Sequence, residues 1–427
     1  MTRVVIAGGG IAGLEALIAL RAHLGPEPRI DLLEGATDLV ERQRSVAEPF
    51  GGAEPKRFDL ARIAADHGAV LAPDRLRDVD SDARVVHTVR GDTIAYDALL
   101  VAVGARTDVA IPGALTFRGP RDVIAYRRLL HALDTGRVRN VAFAVPDGIA
   151  WTLPLYELAL LTARHLRGKG RDDVALTIVT PERRPLDVFG SAVSARIAAL
   201  LSRERIAVRT ETTPLRVTVG GLAVSDGEPA PAEWIVALPR LSGPWLAGLP
   251  HDADGFIPTD AHGAVPGAEG VWAAGDGTTF PIKQGGIAAQ QADAAANAIA
   301  AALGAPVDPE PFLPVMRGLL LDGATERVLG SDGASPKGEE AWWPAEKVAA
   351  RHLAPYLASA VPVTTAEAGE PVDVRALLLG LADRHAASDP ALALRCLDAV
   401  AQMPGDLSRD VSRRRQELAS ELHPVAS

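Results

Sequence analysis

The sequence predicts an α/β protein made of two doubly wound units, the second inserted in the first, followed by a C-terminal segment with helices. Three observations carry this expectation. A short apolar strand, a glycine-rich turn and a helix open the chain; strand and helix alternate again from about 107 to 248; and the opening pattern returns between Gly270 and Ala302. At 427 residues the chain exceeds one ordinary domain, and its 48% apolar and 23% charged content is that of a globular protein, which excludes wholesale disorder.

In order, Arg3 to Ala7 reads as a strand, Gly8-Gly9-Gly10 as a turn, Ile11 to Leu24 as a helix with Leu14, Leu17, Ile18 and Ala22 apolar, and Arg29 to Leu33 as a second strand. Residues 36–58 are polar and turn-rich, with Glu48-Pro49-Phe50-Gly51-Gly52 as a loop. Asp59 to His67 reads as a short helix, and the alternation near 69–79, 83–90 and 92–96 predicts antiparallel strands. Ala98 to Val103 is an unbroken apolar run ending at Gly104, as in a strand buried on both faces. Strands follow at Val141–Val145, Val174–Val179, 206–209, 215–219 and 234–238, with helices at Leu153–Leu166 and Ser191–Leu201. Val271 to Ala274 is again a strand, followed by a Gly-Asp turn and a long alanine-rich helix. Four prolines between 305 and 315 mark a connector. The expected boundaries are therefore 1–106 and 249–304 for the first unit, 107–248 for the second, and 305–427 for the C-terminal segment.

Composition removes several classes of function. The 44 Lys plus Arg against 54 Asp plus Glu leave a net charge of −10, so no global field attracts a phosphate backbone and nucleic acid is not the expected partner. Cys396 is the one cysteine, which excludes an internal disulfide, a CxxC redox pair and a multi-cysteine zinc site. Ten histidines show no HxxxH or HExxH spacing, and no metal site is expected. With no signal-peptide pattern and no run of 18 apolar residues, a cytoplasmic protein is the expectation.

Gly8-Gly9-Gly10-Ile11-Ala12-Gly13 is a G-x-G-x-x-G placed between a strand and a helix. Gly8 permits the tight turn, Gly10 lets backbone N–H groups approach a pyrophosphate, and Gly13 allows close helix–strand contact. The start of the helix adds partial positive charge. Glu34 follows 21 residues after Gly13, at the end of the next strand, where a carboxylate can accept hydrogen bonds from an adenosine ribose. These features predict a bound dinucleotide.

Val271-Trp272-Ala273-Ala274-Gly275-Asp276-Gly277 resembles the strand-Gly-Asp signature of the two-dinucleotide flavoproteins, the pyridine nucleotide-disulfide oxidoreductase superfamily. Leu99 to Ala105, including Gly104, followed by Ile111-Pro112-Gly113, resembles that superfamily's internal fingerprint. Type II NADH dehydrogenases and sulfide:quinone oxidoreductases are the members it is most similar to. The resemblance covers residues 1–302 and implies two Rossmann-like dinucleotide-binding domains, FAD as cofactor, and Asp276 on its ribityl chain. It also implies that the helix start at Gln284-Gly285-Gly286, with outward-facing N–H groups, lies beside the flavin. There Lys283 would stabilise the anionic reduced flavin; a solvated surface lysine is the alternative.

The chain departs from the family pattern in two places. No cysteine precedes Cys396, so thiol–disulfide exchange and sulfur relay through enzyme cysteines are excluded. After the strand at Val141–Val145, where NADH-binding relatives repeat the glycine fingerprint, this chain has Pro146-Asp147-Gly148-Ile149-Ala150-Trp151-Thr152-Leu153-Pro154. Either NAD(P)H binds with Glu182 holding its ribose, or the domain has lost its ligand. Glu48, as a proton donor or acceptor, with Pro49, Phe50 and Trp151, are candidates for contact with the flavin ring; a surface glutamate is the alternative for Glu48.

The expected function is an FAD-dependent oxidoreductase, with NAD(P)H or another small molecule as donor and a quinone, protein or small molecule as acceptor. A structural or sensory FAD in an interaction module is the alternative. The tail from 345, with Leu392, Leu394, Leu397 and Val400 on one face, is expected to serve packing or homo-oligomerisation; a peripheral membrane contact through Trp342-Trp343 is the other reading.

Overall fold

The computed structural model describes residues 2–52, 54–323, 326–330, 348–358, 373–405 and 407–422. The chain opens with β1 (Arg3–Ala7), α1 (Ile11–Leu24) and β2 (Arg29–Leu33). α1 buries Leu14, Ala16, Leu17, Ala19 and Leu20, because it lies against the sheet on one side and another helix on the other. α2 (Leu60–Asp66) starts at Asp59, whose carboxylate accepts from the backbone N–H groups of Ala61 and Arg62. It leads to β3 (Val70–Ala72), and β4 (Ala98–Val101) is buried along its whole length.

The second unit contains β5 (Leu115–Thr116), α3 (Val123–Asp134), β6 (Asn140–Ala144), α4 (Leu153–Gly168), β7 (Ala175–Val179), α5 (Gly190–Arg203), β8 (Ile206–Arg209) and β9 (Trp234–Ala237). The chain then returns with β10 (Val271–Ala273) and α6 (Gly285–Ala302). α3 is an element the strand-and-helix reading omits, although Val123, Tyr126, Leu129, Leu130 and Leu133 form one buried helical face.

Two five-stranded parallel sheets result, ordered β10-β4-β1-β2-β3 and β5-β9-β6-β7-β8. The register pairs Val4 with both Ile30 and Ala98, so the ends of β1, β2 and β4 stay level. One sequence expectation changes here. Residues 70–72 do not join an antiparallel set; they pair in parallel with β2 at the sheet edge, because the helix between them makes a β-α-β crossover. Residues 76–80, 85–88 and 93–95 do form an antiparallel meander.

Beyond the prolines, β11 (Arg317–Leu321) and β12 (Glu326–Gly330) make a hairpin that the sequence reading did not include. β11 is buried, and Leu321 N–H donates to the Glu157 carboxylate of α4. α7 (Leu353–Leu357) is tied to the first unit through Glu15 of α1, which accepts from the N–H groups of His352 and Leu353 at 2.9 and 2.6 Å. α8 (Val374–His385), α9 (Pro390–Gln402) and α10 (Arg409–Leu422) complete the helical tail. Leu378, Leu381 and Ala382 of α8 and Leu392, Ala393, Cys396 and Leu397 of α9 share one core with Leu153, Tyr156 and Phe189 of the second unit. Burial pushes the Cys396 thiol up to about 12, as expected of packing rather than chemistry. Trp342 and Trp343 lie outside the described residues. Among the described residues, no helix is long and apolar enough to cross a membrane.

Candidate active site

The glycine turn after β1 shows which glycines the fold itself requires. Gly8 has φ +116°, and a Cβ there would lie 2.3 Å from the Ala102 carbonyl oxygen; a Cβ on Gly13 would lie 1.8 Å from the Gly8 oxygen. Gly10 differs. Its backbone is extended, and a Cβ would meet no atom within 4 Å. Among the described residues nothing demands a glycine there, which fits a ligand passing over it. Gly10 also caps α1 without a side-chain bond, so the N–H groups of Ile11, Ala12 and Gly13 begin the helix uncapped by any side chain. Glu34, at the end of β2, is pinned by the N–H groups of Gly9 and Ala36, each at 2.8 Å.

Gly275 and Asp276 follow β10, two strands away in the same sheet. Gly275 has φ +85°, its N–H donates to Gln291 Oε1 of α6, and a Cβ would press on Ala12 at 3.2 Å. The two loops are thus packed together at the carboxyl ends of parallel strands, the usual place for a ligand in such sheets. Gly104, at φ +73°, lies three residues beyond β4, and a Cβ there would meet no described atom within 4 Å.

A cavity of about 270 Å³ lies beside Asp276. Lys283, Phe256, Trp151 and Arg395 line it, together with Gln43, Ser45, Val46, Phe117, Arg118 and Leu392. Lys283 Nζ stands 3.9 Å from the centre of the Phe256 ring and donates to the Thr278 carbonyl. Burial, then the charge of Arg395, pull its pKa down to about 7, against the opposing pull of Asp276 and Asp252. Burial pushes the Asp276 carboxyl upward, opposed by Lys283. Arg395, from α9, is fixed by Asp252 and Asp254 at 3.0 and 2.7 Å.

Several sequence candidates do not reach this cavity. Glu48, Pro49 and Phe50 form a single 3₁₀ turn against the second unit, where the Phe50 ring packs on Tyr126 at 5.6 Å and on His165 at 6.2 Å. That aromatic packing draws the turn away; the earlier loop residues Gln43, Ser45 and Val46 line the cavity instead. Gln284 turns inward, accepting from Ile287 N–H and donating to the Arg317 carbonyl of β11. Gly285 lies under Val348 and Gln43, so the start of α6 is covered rather than outward-facing. Trp151 does line the cavity, edge-on to Phe189. Arg395, Leu392 and Phe256 have no spacing signal; folding alone brings them here.

Glu15, Asp293 and His352 place ligand-type atoms within 4.8 Å of one another. Glu15 receives two backbone N–H groups, while Asp293 faces Arg351 and His352, so the cluster holds the C-terminal segment onto α1 and α6.

A sequence model of the pyridine nucleotide-disulphide oxidoreductase family matches residues 2–143. The biphenyl dioxygenase system ferredoxin–NAD(+) reductase component of Paraburkholderia xenovorans is 30% identical over 299 residues, covering 66% of this chain and 69% of that protein. This chain belongs to the pyridine nucleotide-disulphide oxidoreductase family. A NADH dehydrogenase-like protein of Mycobacterium tuberculosis is 28% identical over 307 residues, 65% of this chain and 72% of the relative. Among solved structures, the sulfide:quinone oxidoreductase of Aquifex aeolicus matches the fold with a TM-score of 0.65 at 20% identity, over 71% of this chain and 77% of that one. As a family member the protein is an oxidoreductase with FAD as its cofactor. The turn at Gly8–Gly13, open over Gly10, fits that group.

Proposed function

We propose that this protein passes electrons through FAD from NAD(P)H or another small donor to a quinone, protein or small-molecule acceptor, without redox cysteines. The observation that carries this reading is the open approach at Gly10, at the end of the same sheet as the Gly275-Asp276 loop, whose Asp276 lines the Lys283 cavity. FAD, when bound, supplies the reversible two-electron chemistry. The FAD domain is residues 1–106 and 249–304, with 107–248 as the inserted Rossmann-like domain and 305–427 as the C-terminal segment.

In this reading the N–H groups of Ile11, Ala12 and Gly13 hold the pyrophosphate, Glu34 holds the adenosine ribose and Asp276 the ribityl chain. Lys283, with its pKa near neutrality, is placed to carry or release a proton at the cavity wall and to balance negative charge there. Trp151 and Phe256 give the chamber aromatic walls. The relatives' printed names support NAD(P) chemistry and delivery to a partner protein: one is a ferredoxin–NAD(+) reductase component, the other NADH dehydrogenase-like.

The test is spectroscopic. Protein incubated with FAD and freed of excess should show a flavin absorbance that dithionite bleaches and a soluble quinone restores. Colourless protein would overturn the proposal.

A further inference from the structure

The second parallel sheet has its own crevice, at the loop between β6 and α4, where a dinucleotide would be expected. One face of the loop opens on the Lys283 cavity, which Gly148, Ile149, Ala150, Trp151 and Pro154 help to line, while its other side, toward Glu182, is filled by the chain itself. A Cβ on Gly148 would lie 2.6 Å from the Asp389 carboxylate, so that oxygen stands on the one glycine left in the loop. Asp389 is fixed there on two sides: it caps α9 by accepting from Leu392 N–H at 3.0 Å, and it pairs with Arg240 at 3.2 Å. Its neighbour in the loop, Asp147, faces His385 at 2.8 Å.

Glu182, the candidate ribose ligand, is 8% exposed and already accepts from the hydroxyls of Thr152, Tyr156 and Thr180 at 2.9, 2.6 and 2.9 Å. Leu377, Leu381, Arg384 and His385 of α8 close over it, leaving a void of about 10 Å³. That is scarcely room for one water. At the start of α4, Pro154 removes one of the N–H groups a phosphate would take. Asp147 and Asp389 put two carboxyl groups at the Gly148 turn, where a diphosphate would lie, and Glu182 adds a third at the ribose position.

We infer that the α8–α9 pair is a built-in occupant of the second dinucleotide crevice, and that this protein does not bind NAD(P)H there. The pair is a wall rather than a lid. Its removal would expose Leu378, Leu381, Leu392 and Leu397, which share the core of the second unit. The inference narrows the donor in the proposed function and rests on that reading only for the flavin. Any donor is then recognised without this crevice.

The experiment uses the full chain loaded with FAD, under anaerobic conditions, titrated with NADH, NADPH and ADP-ribose by calorimetry, with hydrogen exchange of residues 374–402 measured in parallel. The expected result is no saturable binding below about 1 mM and unchanged protection of α8 and α9. Saturable binding below that concentration, or deprotection of α8 and α9 on adding nucleotide, would overturn it. Dithionite bleaching of the same sample reports the flavin separately. If the protein is colourless, the flavin reading fails alone, and the titration is read on Gly10→Val, in which the first site is blocked.

Discussion

The ammonium of Lys283 stands 3.9 Å from the centre of the Phe256 ring, and the guanidinium of Arg395 stands 5.0 Å from the same ring. Two cations more than 100 residues apart in the sequence therefore share one buried aromatic beside Asp276. Arg395 keeps its charge through Asp252 and Asp254, so the repulsion falls on Lys283 and contributes to lowering its pKa.

That arrangement gives a pH dependence with a definite sign. With the folded pKa near 7 and the unfolded value at 10.5, the unfolded chain holds the extra proton between those limits. Stability of the FAD-free protein therefore rises with pH across about 7 to 10.5 relative to Lys283→Met. Parallel denaturation curves at pH 7 and pH 10 check this; identical differences at both pH values would contradict it.

In the FAD-loaded protein, Lys283→Met should lower the flavin midpoint potential by on the order of 30 mV, with binding largely intact. A redox titration against a reference dye measures this. An unchanged potential would leave the lysine without influence on the flavin.

Removing the charge of Arg395 should act through its neighbour. Arg395→Gln is expected to raise the Lys283 pKa, because the like charge disappears while Asp252 and Asp276 remain. The pH window of the previous stability difference would then narrow from its lower end, which the same denaturation series detects.

Gly10 and Gly13 should separate ligand effects from fold effects. Gly10→Val should abolish FAD retention while leaving the melting temperature of the FAD-free protein near wild type, since open space surrounds that position. Gly13→Ala places a Cβ 1.8 Å from the Gly8 oxygen and should destabilise the FAD-free fold by more than about 2 kcal/mol. A flavinated Gly10→Val protein would refute the site.

Glu15→Ala should release the C-terminal segment from α1, because the buried N–H of Leu353 and the half-buried N–H of His352 lose their acceptor and Asp293 alone remains to hold Arg351 and His352. The expected loss is about 2–4 kcal/mol, with faster hydrogen exchange at 352–357. Unaltered exchange there would show that the carboxylate is not the tether.

The first β-α-β unit was legible in the sequence because its signals are local: β1, the Gly8–Gly13 turn, α1 and β2 lie within 33 residues and each follows from its own periodicity. The same holds for the α9 face carrying Leu392, Leu397 and Val400, and for the departure from the fingerprint at Pro146–Pro154. Sequence alone thus determined two strand-and-helix units, a dinucleotide turn and an altered second turn. Tertiary structure decided the rest. Phe50 left the expected site because its ring found Tyr126, Gln284 turned inward to cap its own helix, and Arg395 and Leu392 arrived at the cavity from more than 100 residues away. No spacing rule anticipates such meetings, since they depend on which apolar faces bury one another. The fate of the second crevice belongs to the same class: Gly148 and Glu182 are visible in the sequence, but that Asp389 and α8 occupy the space between them is a property of the packed core.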